Sequence, residues 1–233
     1  MDPMLALATF GVALGGLAQS VTGLGFALVA APGLIALLGP DDGVAVVVLL
    51  GLLASLLPLM GQWREALVRE GLTLLVPTLI ATPLVGALVA GADTATIAVA
   101  AGIAVLVGVA ALWRGLTWAP LHSLPGAVAT GIVSAAMNVI GGVGGPPMGI
   151  YAANAGWDPR NIRATLQAIF LVQGLATLAV VGLVRPDPRM VAALVIGTGV
   201  GMWLAPRIPM EAARRALLVV AAFGGLALIL GNA

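Results

Sequence analysis

Gln19-Ser20-Val21-Thr22-Gly23-Leu24-Gly25-Phe26 and Asn138-Val139-Ile140-Gly141-Gly142-Val143-Gly144-Gly145-Pro146-Pro147 are the two stretches on which the reading of this chain turns. Each lies in the middle of an apolar run too long for one membrane crossing. The run over 4–38 has 35 residues; as a single helix it would be ~52 Å long, against a hydrocarbon core of ~30 Å. The run over 124–153 is likewise too long. Glycine frees the backbone and consecutive prolines stop a helix. Both runs are therefore expected to be helices broken within the membrane.

The surrounding composition fixes the solvent. Apolar residues make up 61% of the chain and charged residues 8%, more apolar surface than a soluble domain of this length can hide from water. Further apolar runs cover 44–60, 72–90, 96–113, 165–184, 190–204 and 216–230, with the charges clustered between them. Each run is about the length of a membrane-spanning helix. All five tryptophans (Trp63, Trp113, Trp118, Trp157, Trp203) lie at or near run ends, where an aromatic belt belongs. Met1-Asp2-Pro3 lacks a basic n-region, so no cleavable signal peptide is expected and the first hydrophobic stretch should be retained. The chain has no Cys, which excludes disulfides, thiolate nucleophiles and Cys-ligated metals. The net charge near +1 gives no reason to expect nucleic acid as a partner.

The two breaks correspond. A gapless shift of 119 residues places Gln19 on Asn138, Gly23 on Gly142, Gly25 on Gly144 and Pro40 on Pro159, and three apolar runs follow each break. One membrane domain over 1–233 is expected, made of a first repeat over about 1–115 and a second over about 120–233. Arginine placement bears on their orientation. If each broken run crosses once, alternate loops carry five Arg each. If each enters and returns, one side carries Arg64, Arg69, Arg114, Arg160, Arg163, Arg207, Arg214 and Arg215, and the other only Arg185 and Arg189. The positive-inside rule prefers the second arrangement. It leaves three crossings per half, an odd number, so the expected fold is an all-α polytopic membrane protein of two inverted repeats, each with one broken or re-entrant segment plus three transmembrane helices. Interrupted helices in inverted repeats are a transporter architecture.

Broken helices expose backbone groups at membrane depth, which is tolerated only in protein or around a water-filled cavity. A half-helix N-terminus offers free N–H groups and the positive end of a dipole. Gln19, Ser20, Thr22 and Asn138 add neutral hydrogen-bonding groups, and the glycines let a ligand reach the backbone; together they suit a small anion. Small residues also let helices pack closely, and Gly11, Gly15 and the series Gly197, Gly199, Gly201 are read that way. Arg163, Gln167 and Gly174 share one helical face. The planar fork of Arg163 could hold an oxyanion; an interfacial arginine serving topology fits its position equally. His122, the only His, sits in a polar connection with no triad or metal partners. The glycines at 141–145 lack the βαβ context of a dinucleotide loop. No cofactor and no metal are expected.

At these residues the chain resembles the sulfite exporter TauE/SafE family. The resemblance lies in Gln19-Ser20-Val21-Thr22-Gly23-Leu24-Gly25-Phe26-Ala27-Leu28-Val29 with Pro32, in Gly144-Gly145-Pro146-Pro147 with Tyr151, and in Arg163-Ala164-Thr165-Leu166. The spacing of apolar runs agrees over essentially the whole chain. The family's first break often carries three successive glycines; here it reads Gly23-Leu24-Gly25. The resemblance implies a multi-pass, non-enzymatic transporter in the bacterial inner membrane that exports sulfite or an organosulfonate. Its substrate site would comprise Gln19, Ser20, Thr22, Gly23, Gly25, Phe26, Asn138, Gly142, Gly144, Gly145, Pro146, Arg163 and Gln167, and its partners would be the small anion, membrane lipid and, as a candidate assembly, a second copy of the chain. The rival readings are a channel or permease for another small anion, a non-transporting membrane assembly factor, and an intramembrane enzyme, the last disfavoured because no nucleophile–base pair or metal cluster can be written.

Overall fold

In a computed structural model, residues 3–115, 118–208 and 210–232 are described. Met1 and Asp2, and the side chains of Glu211 and Arg214, lie outside the described residues. The described chain is all-helical: α1 (Pro3–Thr22), α2 (Phe26–Leu38), α3 (Pro40–Gln62), α4 (Val68–Val89), α5 (Thr94–Arg114), α6 (Leu124–Gly141), α7 (Gly145–Asn154), α8 (Pro159–Val181), α9 (Pro188–Leu204) and α10 (Met210–Leu230), with short 3-10 turns at Trp63–Glu65 and Ala119–His122. Six of these helices (α1, α3 with the turn after it, α4, α5, α6 and α8) are long and apolar enough to cross a membrane.

Polarity is inside out relative to a protein in water. Gln19, Ser55, Asn138, Gln167, Gln173 and Thr177 are buried, while Leu7, Leu88 and Phe223 are 63%, 83% and 72% exposed. Exposed apolar area on this scale requires lipid as the solvent. The helices begin where a side chain or a proline relieves their unpaired first N–H groups. Asp158 and Asp187 cap α8 and α9, each followed by a proline at the first helical position. Asp93 caps α5 by accepting from the Thr96 hydroxyl and amide, which hold its carboxyl below the ordinary value. That cap is intact at neutral pH and is lost only as pH falls through the lowered value.

Both broken runs fold back on themselves. On α2, Phe26 lies against Gly15, Val29 against Gly11 and Gly33 against Ala8 of α1, so the two helices run antiparallel. In the second break, the backbone N–H of Trp118, which precedes α6, donates to Asn154 Oδ1 at the end of α7 at 2.7 Å. Each run thus doubles back at its break.

The packing has a reciprocal pattern. α1 packs on α9 and α6 on α4; α2 packs on α10 and α7 on α5. Two pairs of helices at equivalent places in the two halves, α3–α8 and α5–α10, run antiparallel. At one end of the α3–α8 pair, Asn161 Nδ2 donates to the Glu65 carbonyl at 2.7 Å; further along, Gly174 meets Leu52. In the α5–α10 pair, Gly102 faces Gly225 and Ile229, and Gly225 faces Val105 and Leu106.

The glycine series on α9 divides by environment. A Cβ on Gly197 would overlap the Ala13 carbonyl, and one on Gly201 would lie 2.7 Å from Leu17 backbone, whereas Gly199 faces open space. Close backbone approach of this kind is how small residues pack membrane helices. Gly197→Ala is therefore expected to destabilise by about 1–3 kcal/mol through overpacking, read as a lower unfolding temperature in detergent, while Gly199→Ala leaves that temperature unchanged.

Candidate functional site

The first break is a three-residue turn, Gly23-Leu24-Gly25, between α1 and α2. Gly23 has φ +80° and Gly25 φ +126°, values at which a Cβ is strained. The second turn, Gly142-Val143-Gly144, starts the same way, with Gly142 at φ +70°. Its last glycine differs: Gly144 is right-handed, with φ −76°, and is needed for space instead. A Cβ there would meet Gln173 Nε2 at 2.8 Å and Ser134 Oγ at 3.0 Å.

One amide spans each turn. Gln19 Oε1 accepts from the Phe26 N–H at 3.2 Å, and Asn138 Oδ1 accepts from the Gly144 N–H at 3.3 Å. The other end of each amide ties its helix to neighbours. Gln19 Nε2 donates to Ser55 Oγ and to Gln167 Oε1, both at 3.1 Å. Asn138 Nδ2 donates to Thr177 Oγ1 at 2.8 Å. Between them, Gln173 Nε2 donates to Ser134 Oγ at 3.0 Å, and Ser134 Oγ donates to the Gly144 carbonyl at 2.7 Å.

These elements enclose a cavity of about 50 Å³, room for roughly three to five water-sized groups, which is the size of a small oxyanion. Gln19, Gly25 and Phe26 line it from the first break, and Asn138, Gly142, Gly144, Gly145 and Pro146 from the second. Val47, Val48, Gly51 and Leu52 of α3, and Phe170, Gln173 and Gly174 of α8, complete the wall. Among the described residues the wall holds no ionisable side chain. Backbone donors reach it instead. The helical ladder of α2 begins with the Val29 N–H bonding the Gly25 carbonyl, so the N–H groups of Ala27 and Leu28, both in the wall, precede it. The N-terminus of α7 points into the same space from the other half. Pro146 and Pro147 there carry no N–H, which costs nothing at the start of a helix.

Eight of the thirteen residues expected from sequence line this cavity, and five do not. Ser20 faces α9, its hydroxyl donating to the Gly16 and Thr198 carbonyls. The Thr22 hydroxyl is taken up by the Ala18 and Leu24 carbonyls. Gln167 stands one helical turn beyond the wall and is reached through Gln19. Gly23 packs on Arg163; a Cβ there would lie 2.7 Å from Arg163 Cγ. Arg163 is half-buried, near the start of α8, with the cavity wall on that helix beginning only at Phe170. Sequence reasoning missed Ser134, Gln173, Ser55 and Thr177. Gln173 carried a usable signal, because it is an amide in the middle of the run over 165–184.

The class so defined is a polytopic helical membrane protein with a cavity between two interrupted helices whose wall, among the described residues, carries amides but no ionisable side chain. The chain belongs to the sulfite exporter TauE/SafE family, whose model matches residues 7–228. No curated protein and no solved structure matches it. Membership makes it a membrane transporter.

Asn138→Leu removes the partners of the Gly144 N–H and the Thr177 hydroxyl, leaving both buried and unpaired. The expected loss is about 1–3 kcal/mol of stability, seen as a lower unfolding temperature in detergent. Asn161→Leu, which removes only an exposed bond to the Glu65 carbonyl, should shift it far less.

Proposed function

We propose that this protein exports a small sulfur oxyanion, sulfite or an organosulfonate, across the bacterial inner membrane through the cavity between the two breaks. The observation that carries this reading is the convergence of two helix N-termini, from α2 and α7, on one cavity without any carboxylate in its wall. Neutral donors and dipole ends bind an anion without holding a compensating positive charge in lipid. The family name supplies the sulfur chemistry.

The two halves are read as inverted repeats. The antiparallel α3–α8 and α5–α10 pairs and the exchange of packing partners between halves support this. With Arg64 and Arg163 cytoplasmic, Ala66 would face the cytoplasm and Asp187 the periplasm. Single cysteines at Ala66 and Asp187 should then be labelled by an impermeant thiol reagent from opposite faces. Labelling from the same face would end the inverted-repeat reading.

Arg163 lies outside the cavity wall, toward the proposed cytoplasmic side. Its role in this scheme is to concentrate the anion at the cytoplasmic entrance, where its fork of donors matches an oxyanion. Arg163→Lys keeps the charge and loses the fork. It should slow radiolabelled sulfite flux in proteoliposomes several-fold, whereas Arg160→Lys should leave flux near the wild-type rate. Equal, small effects would return Arg163 to a topological role.

None of the nine acidic residues sits near the centre of an apolar run, and proton relays within membranes use such groups. The inside-negative potential already drives an anion outward by ~2.3 kcal/mol per charge at 100 mV. Export is therefore expected to be electrogenic uniport. Sulfite flux in proteoliposomes should follow a potassium–valinomycin potential at symmetric pH without sodium. Flux that ignores the potential and needs an imposed pH or sodium gradient rules uniport out.

A further inference from the structure

Helix α8 orders the polar groups of the site along one face. From its N-terminal end these are Arg163, Gln167, then Phe170, Gln173 and Gly174 in the cavity wall, then Thr177. Apart from the adjacent Gln173 and Gly174, the steps are three to four residues, so the groups stack on one side of the helix. Gln167 and Thr177 thus bracket the cavity, one turn outside it at either end. Each is tied to the amide of one break: Gln167 to Gln19, and Thr177 to Asn138. Gln19 and Asn138 belong to the wall; Gln167 and Thr177 do not. All four side chains are buried. No residue of the wall is exposed.

We infer that these two hydrogen bonds are the gates of the transport cavity, Gln19–Gln167 closing the Arg163 end and Asn138–Thr177 closing the opposite end. The inference rests on the cavity being the transport site. Each bond links residues far apart in sequence, 19 to 167 and 138 to 177, and joins a break-bearing helix to α8. Parting α1 from α8 opens the path toward Arg163 and leaves the other bond untouched. Parting α6 from α8 does the reverse. Both bonds are made here, so both helix pairs are joined in this conformation. Gln19 and Asn138 also hold the first N–H groups of their own breaks through Oε1 and Oδ1. Opening a gate therefore releases the side chain that fixes the donors around the anion, and gate state and site geometry change together. Closure rests on neutral hydrogen bonds, each of which shifts a two-state equilibrium by roughly tenfold when removed.

Cysteine accessibility tests this without reference to the transported anion. The chain has no Cys, and Ala27 lines the cavity, so Ala27→Cys places a single thiol inside it. The full-length protein in right-side-out and in inverted membrane vesicles is treated with an impermeant, cationic methanethiosulfonate reagent. Adding Gln167→Ala should raise the labelling rate roughly tenfold from the Arg163 face only. Adding Thr177→Val should raise it from the opposite face only. Asn161→Leu, which removes only an exposed bond from α8 to the Glu65 carbonyl and neither gate, should leave both rates unchanged. If Gln167→Ala does not accumulate in the membrane, Gln167→Asn serves, since it keeps the amide but falls one methylene short of Gln19. No acceleration, or equal acceleration from both faces by each variant, overturns the gates. Absence of sulfite flux with face-specific labelling would instead overturn the sulfite reading and leave the gates standing.

Discussion

A bilayer offers no water to an unpaired backbone group, so every interruption of a helix at membrane depth must be satisfied by the protein itself. That constraint organises this molecule. Its two interruptions are each spanned by one side-chain amide, and an amide is suited to the task because it accepts at one atom and donates at another. Gln19 accepts from the N–H just past its turn and Asn138 from the last N–H of its turn, and both donate to a polar group on another helix. The satisfaction of the break and the packing of the break against α8 are therefore the same set of bonds. A hydrophobic residue at either place would strand groups on both sides, and a charged one would add desolvation that neutral partners cannot offset.

Much of this architecture is legible in the sequence because the period of apolar residues and the turn chemistry act locally. The runs over 44–60, 72–90, 96–113, 165–184, 190–204 and 216–230 all became helices, extended mainly at their starts by capped or proline-led turns such as Pro40 and Pro159. The long runs broke at Gly23–Gly25 and Gly142–Gly144, where only glycine tolerates the left-handed turn. The cavity was less legible. Ser20 and Thr22 share the break's polar cluster in sequence, yet successive helical positions point about a quarter-turn or more apart, so Ser20 meets α9 and Thr22 bonds its own backbone. The α3 and α8 walls come from residues with no local signature, Val47, Val48, Phe170 and Gly174 among them. Their place depends on which helix faces which, and apolar periodicity is weak evidence for that in a chain whose helices are apolar all round.

Arg163 shows the same limit from the opposite side. Its place on the Arg163–Gln167–Gly174 face is a local property and holds on α8. Its depth is a tertiary property. It packs its stem on Gly23, which explains a second demand on that glycine beyond its dihedral angle. The charge stays at the end of the helix, where a guanidinium keeps contact with water and headgroups at little cost. Placed at the centre of the cavity it would bind an oxyanion too firmly to let it leave.

The proposed division between a charged entrance and a neutral interior follows from that balance. Transport requires a site attractive enough to enter and weak enough to release. Backbone N–H groups and helix dipoles contribute fractions of a charge from fixed positions, so they stabilise an anion without trapping it. They also need no counter-ion when the cavity is empty, because a helix dipole carries no net charge. An arginine in that cavity would be a permanent unpaired cation between visits of the substrate. The wall built from Gly25, Ala27, Leu28, Gly144 and Gly145 avoids that state while keeping the backbone at the surface of the cavity, within reach of the anion we propose. The glycines at the breaks therefore serve both ends of the argument: they permit the turns that free the donors, and they leave the space through which those donors are approached.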